Sequence, residues 1–190
     1  PEASYGAPGY GLARAQARGH PPLVETARYM RQSLVQVVGP ATGELMGSGF
    51  VVRSGSGKLY AVVSYHVVGH AGNKVAVRMY DKLDREITYR GVVNATGSYG
   101  LNAPDAAIIA LPSEAAKHAR PLKVAADFPQ KGEELVVWGT PYAVNGFARA
   151  DELIVKHVQG FKIVMDSPDV SSDFNGLCGS PVLNQDGKVV

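Results

Sequence analysis

With 190 residues the chain can build one large domain or two small ones around a real core. Its 45% hydrophobic and 19% charged residues exclude a disordered class, and no apolar run is long enough to span a bilayer. A net charge of +2 is too small to argue for nucleic acid or a membrane surface as the main partner, and a single cysteine excludes an intramolecular disulfide and favours a reducing compartment.

Residues 1–22, PEASYGAPGYGLARAQARGHPP, are rich in Gly, Ala, Pro and Arg without apolar periodicity. They read as a flexible N-terminal extension, taken to residue 32, with no basic-apolar secretory leader. The chain opens on Pro1 rather than Met, as a piece of something longer would. Leu23, Ala27 and Met30 recur at helical spacing, which predicts a short helical turn. The arginines of this region, Arg14, Arg18, Arg28 and Arg31, read as a solvated flank.

From Ser33 the pattern becomes short β-branched runs separated by Gly, Asn, Asp and Pro. Strands are predicted at 33–39, 47–53, 59–65, 74–80, 86–94 and 105–111. Residues 112–121 are polar and Ala-rich and read as a partly helical connection. Further strands are predicted at 121–125, 133–139, 151–159, 161–167, 180–184 and 188–190, with Asp186-Gly187 as a two-residue hairpin signal. The expected fold is all-β, with two packed antiparallel six-stranded barrels. The first is assigned to 33–112, the linker to 113–121 and the second barrel to 122–190.

Acyl transfer needs a nucleophile, a base, a group that orients the base, and donors for the developing oxyanion. His66, in AVVSYHVVG, follows an apolar strand and is a candidate base; the alternative is a barrel-rim histidine. Asp105, in APDAAIIAL, is a charge at the mouth of an apolar strand. It either orients a histidine or closes a turn. Asp81 and Asp84 lie in the polar run YDKLDRE and read as solvated. Cys178, in FNGLCGSPVLNQDGKVV, is flanked by Gly176 and Gly179. A glycine-flanked turn suits core packing poorly and suits amides aimed at one spot, here those of Gly176 and Cys178. No Cys/His spacing implies a metal, and no cofactor is implied. Trp138 reads as a core residue.

These segments resemble the chymotrypsin-like protease family over roughly residues 33–190. GSGFVV followed by SYHVV is similar to the entry and catalytic histidine of the first barrel. PDAAIIAL is similar to the aspartate strand. GLCGSPVLNQDGKVV is similar to the nucleophile loop, with cysteine where serine is usual. Cysteine there resembles the polyprotein-processing main proteases of picornaviruses, potyviruses and coronaviruses, and the Gly-x-Cys-Gly-Ser-Pro form is similar to the potyvirus one. Other stretches read more like bacterial Deg-type and sobemovirus, astrovirus or arterivirus serine proteases.

The resemblance implies His66, Asp105 and Cys178 as catalytic residues and the amides of Gly176 and Cys178 as the oxyanion hole. It places the pocket for the residue before the cut near Ser172 and Asp173. Asp173 either attracts a basic residue or is a solvated loop aspartate. It also implies a further strand after GKVV, so that the second barrel is expected to be truncated at its C-terminus. The function implied is a cysteine endopeptidase processing a viral polyprotein in the host cytoplasm, with polypeptide as substrate. The alternatives are a non-catalytic protease-fold binding domain and a Deg-like serine-type protease with Ser replaced by Cys.

Overall fold

A computed structural model describes residues 29–97, 103–139, 149–160, 162–168 and 176–190. It begins with a helical turn, α1, over 29–33; most of the helical turn expected over Leu23 to Met30 lies outside the described residues. Six antiparallel strands follow: β1 (Leu34–Val38), β2 (Leu45–Arg53), β3 (Leu59–Val63), β4 (Lys74–Tyr80), β5 (Glu86–Thr96) and β6 (Ala107–Ala110). They close into a barrel in the order β1-β2-β3-β6-β5-β4. Alternate residues of each strand point to one face. Val35 and Val37, Ala61 and Val63, and Val75, Val77 and Met79 thereby fill the interior with Val51, Val93 and Ile109. Closure removes the unpaired edges that so short a set of strands would otherwise present.

The predicted strand 59–65 stops at Val63, and Tyr65–Val68 forms a single helical turn, α2. Its β-branched valines favour a strand, but tertiary bonds hold the turn. Gly69 N–H donates to the Tyr65 carbonyl (2.7 Å) and the Asn73 side-chain amide donates to the Val68 carbonyl (2.9 Å). Residues Ser113–Lys117 form the expected short helix, of the 3-10 type.

The second half is a four-stranded antiparallel sheet among the described residues, where six strands were expected. Its strands are β7 (Glu134–Gly139), β8 (Arg149–Gln159), β9 (Lys162–Asp166) and β10 (Val182–Leu183), in the order β10-β7-β8-β9. Leu122, Val124 and Val189, in runs predicted to be strands, make only isolated bridges. The expected two-residue hairpin is a three-residue loop, Gln185 to Gly187. Asn184 N–H donates to the Lys188 carbonyl (2.9 Å) and Asn184 Oδ1 accepts from the Asp186 and Lys188 amides.

One apolar cluster joins the halves: Met30, Leu34, Phe50, Leu122, Trp138, Leu183 and Val189. Each fully buried side chain of this size contributes roughly 1.5–3 kcal/mol. Met30 belongs to this core, so the packed body starts before Ser33.

Two readings of surface charge are corrected. Arg31 is not part of a solvated flank: it pairs with Asp84 (3.2 Å) and its guanidinium lies 4.3 Å from the centre of the Tyr80 ring. Asp81 is buried rather than solvated. Its carboxylate closes the β4–β5 connection by accepting from the Leu83 and Arg85 amides (2.8 and 3.0 Å) and from Arg85 Nε (2.8 Å).

The Arg85 amide, with the Arg85 guanidinium and the Leu83 amide, lowers the Asp81 pKa to about 2 against the opposing effect of burial. A lowered folded-state pKa adds stability above the unfolded value of about 4, and this is lost as pH falls through about 2. Asp81→Asn should therefore lower Tm at neutral pH and leave it nearly unchanged near pH 2. Thermal melts across that range check this, and a constant difference at every pH would contradict it.

Candidate active site

β3 and β6 are paired neighbours in the barrel, with Val63 opposite Ala107. The chain leaving β3 and the chain entering β6 therefore meet at one rim. His66 is three residues past Val63 and Asp105 two before Ala107, so residues 39 apart in sequence come into contact. Asp105 precedes β6 rather than opening it as the sequence suggested.

The Asp105 carboxylate uses both oxygens on His66. Oδ2 accepts from the ring Nδ1–H at 2.5 Å and Oδ1 accepts from the backbone N–H at 3.0 Å. The second bond satisfies an amide that the short turn leaves without a partner, since Ser64 at its N-cap makes no side-chain cap bond. Ring rotation and turn position are thus set by one group. With Nδ1–H committed to a carboxylate, the neutral ring carries its lone pair on Nε2, the tautomer a general base requires. Both side chains remain partly open to solvent.

Cys178 is exposed, in a turn over residues 176–180 whose neighbour Leu177 is buried. Gly176 (φ 87°) and Gly179 (φ 90°) take left-handed conformations that other residues rarely adopt. The Ser180 amide donates to the Leu177 carbonyl (2.8 Å), which tightens the turn.

The first barrel holds this turn through β2. Ser48 N–H donates to the Cys178 carbonyl (2.9 Å), and the buried Ser48 hydroxyl donates to the Gly176 carbonyl (2.7 Å). A Cβ on Gly179 would collide with the Ser48 carbonyl oxygen and stand 2.9 Å from the Ser64 nitrogen, so only a glycine fits there. Ser64 is two residues before His66. A Cβ on Gly47 would touch both Val67, just after His66, and the Cys178 carbonyl. The turn bearing the sulfur and the helix bearing the imidazole are therefore packed against the same short piece of β2. Among the described residues, neither the Gly176 nor the Cys178 amide donates to a protein acceptor.

Ser172 and Asp173 lie outside the described residues, as do Arg14, Arg18 and Arg28. Ser48 and Ser64 were missed by sequence reasoning. A serine between two glycines inside the apolar strand GSGFVV was the available signal for Ser48, because a buried hydroxyl requires a partner. His70 accepts or donates a hydrogen bond with the Tyr65 hydroxyl (3.1 Å) beside His66. No three metal-ligating side chains cluster, and no helix is long and apolar enough to cross a membrane, among the described residues.

Residues 47–190 match the family model for the trypsin-like peptidase domain, most of the chain. The chain belongs to this family. No curated protein matches it. Among solved structures this trypsin-like peptidase is similar to that of Deg5, with 21% identity, a TM-score of 0.60, and coverage of 88% of this chain and 81% of that one. The inactive form of the Rv3671c protease gives 22% identity and a TM-score of 0.59, covering 92% and 81%. Human heparin binding protein gives 14% and 0.60, covering 86% and 78%. Identities this low establish the chymotrypsin-like fold alone.

Proposed function

We propose that this trypsin-like peptidase is a cysteine endopeptidase with Cys178 as nucleophile, His66 as general base and acid, and Asp105 as the group that orients His66. The observation that carries the reading is the pair of hydrogen bonds that His66 donates to Asp105, in a barrel whose β2 also holds a glycine turn that leaves Cys178 exposed. His66 Nε2 takes the Cys178 thiol proton, and Sγ bonds to the scissile carbonyl carbon. The oxyanion is held by the amides of Gly176 and Cys178. The C–N bond then breaks as the His66 imidazolium protonates the leaving amine. Water, deprotonated by His66, cleaves the thioester and frees the acid and the thiol.

The lone cysteine and the resemblance of GLCGSP to viral main proteases support a polyprotein as substrate and a reducing host cytoplasm as the place of action. Ser172 and Asp173 are proposed to line the pocket for the residue before the cut.

A Deg-like serine design carrying cysteine is the second reading, and one observation favours it. The His66–Asp105 pair is complete, whereas a thiol, with an ordinary pKa of about 8.5, needs less help from a base than a hydroxyl does. Digestion of a peptide library followed by mass spectrometry separates the readings. Cysteine chemistry predicts cleavage that is lost by about 10⁴-fold in Cys178→Ala and strongly reduced in Cys178→Ser. A Cys178→Ser variant more active than the parent would assign the serine design. Cleavage by Cys178→Ala at the parent rate would remove the nucleophile from both.

A further inference from the structure

Ser48 meets the nucleophile turn at three points, two of them hydrogen bonds. Its N–H holds the Cys178 carbonyl, its carbonyl lies against Gly179, and its hydroxyl holds the Gly176 carbonyl. The first two contacts need only backbone, which any residue supplies. The third needs this side chain. It is the one side-chain hydrogen bond between the first barrel and residues 176–180 among the described residues, spans 128 positions of sequence, and is buried. Ser48 itself is 1% exposed.

Its neighbours cannot do the same work. Gly47 has no room for a side chain between Val67 and the Cys178 carbonyl, and Gly49 has none against Val62, Val63 and Val35. Ser48 shares its face of β2 with Phe50, in the core between the halves, so its hydroxyl is directed across the seam.

We propose that the Ser48 hydroxyl is a positioning group for the oxyanion hole, acting on the Gly176 donor and not on the thiol. Gly176 sits at φ 87°, and a glycine has wide freedom about both of its backbone torsions. Each peptide unit is planar, so pinning the Gly176 carbonyl fixes the plane that follows it. With that plane fixed, the two Gly176 torsions decide where its N–H points: ψ places the nitrogen and φ directs its hydrogen. Released from Ser48, Gly176 can turn its N–H away from the place where charge develops. The Cys178 amide, whose plane is held by the bond from Ser180 to Leu177, is unaffected.

The inference rests on the endopeptidase reading, and the test keeps the two apart. Wild type, Ser48→Ala, Ser48→Thr and Cys178→Ala are compared in three measurements. The first is hydrolysis of a peptide found to be cleaved. The second is inhibition by the aldehyde of that peptide's N-terminal side, whose carbonyl adds the Cys178 thiol across C=O, the sulfur bonding to carbon and the proton passing to oxygen. The third is the rate of alkylation by iodoacetamide, which needs a reactive thiol and no oxyanion donor.

Ser48→Ala should lower kcat about 10- to 100-fold with KM changed by less than about 3-fold, and weaken aldehyde inhibition by a similar factor. Its alkylation rate should match wild type, and Ser48→Thr, which keeps the hydroxyl, should retain aldehyde affinity. Unchanged kcat and aldehyde affinity in Ser48→Ala would overturn the inference. So would parallel loss of alkylation and aldehyde affinity, which would show that Ser48 merely holds the turn. Failure of the wild type to hydrolyse peptide or bind aldehyde would instead overturn the endopeptidase reading.

Discussion

His66→Ala is expected to lower kcat/KM for peptide hydrolysis by about 10³- to 10⁴-fold, the full worth of a positioned general base and acid. Nothing else described at the rim can replace it: the nearby His70 ring is engaged with the Tyr65 hydroxyl. Asp105→Ala is expected to cost less, about 10- to 100-fold. A thiol gives up its proton more readily than a serine hydroxyl, so a base that is less well oriented still serves. Asp105→Ala also frees the His66 amide that the carboxylate accepts from. Part of its loss should therefore appear as a loosened α2 and a lower Tm. Steady-state kinetics on folded variants check the ranking, and equal, complete loss in both would contradict it.

Gly179→Ala should be strongly disruptive, since it combines a left-handed φ with a backbone collision. At φ 90° an alanine carries strain of about 1–3 kcal/mol. The new Cβ would also collide with the Ser48 carbonyl and crowd the Ser64 nitrogen, both backbone atoms that can move only if β2 and the start of α2 move. The combined cost is on the order of 3 kcal/mol or more, which for a chain of this size lowers Tm by about 6–12 °C. Activity should fall more than about 100-fold even where the variant is folded, because the collision is with Ser48, which holds the Cys178 turn, and with Ser64, which leads into the turn bearing His66. Gly187→Ala is the control: φ is 73° but no atom lies within 4 Å of the added methyl. It should lose only the strain and keep activity. Equal effects of the two changes in calorimetry and kinetics would show that conformation, and not the contact with β2, sets the cost.

The barrel was legible because its strands are amphipathic or fully buried runs bounded by turn residues. β4 was read at its true bounds, 74–80, and its alternating Val75, Val77 and Met79 all face the core. Where tertiary bonds outweigh local preference, sequence reading ran long. Tyr65–Val68 carries the β-branched residues of a strand but curls into a turn that Asp105 and Asn73 stabilise from outside it. Asp81 looked like one more charge in a polar loop, because composition does not show the turn that brings the Leu83 and Arg85 amides and the Arg85 guanidinium back onto it from two and four residues on. His66, Asp105 and Cys178 stood out because each is a reactive group in an apolar or glycine-rich setting. His66 meets Asp105 because β3 pairs with β6, and the Cys178 turn is held on β2 of the same barrel, which only the fold supplies. Ser48 went unread as part of the site because a serine in a strand has a simpler reading as a surface residue.

Alkylation of Cys178 by iodoacetamide near neutral pH, followed by intact mass in wild type and His66→Ala, tests most directly whether thiol and imidazole act as one unit. The predicted result is fast, single-site labelling that slows at least about 10-fold when His66 is replaced. The same slow rate in both proteins would mean that the sulfur does not sense the ring, and would contradict the assignment of Cys178 as nucleophile.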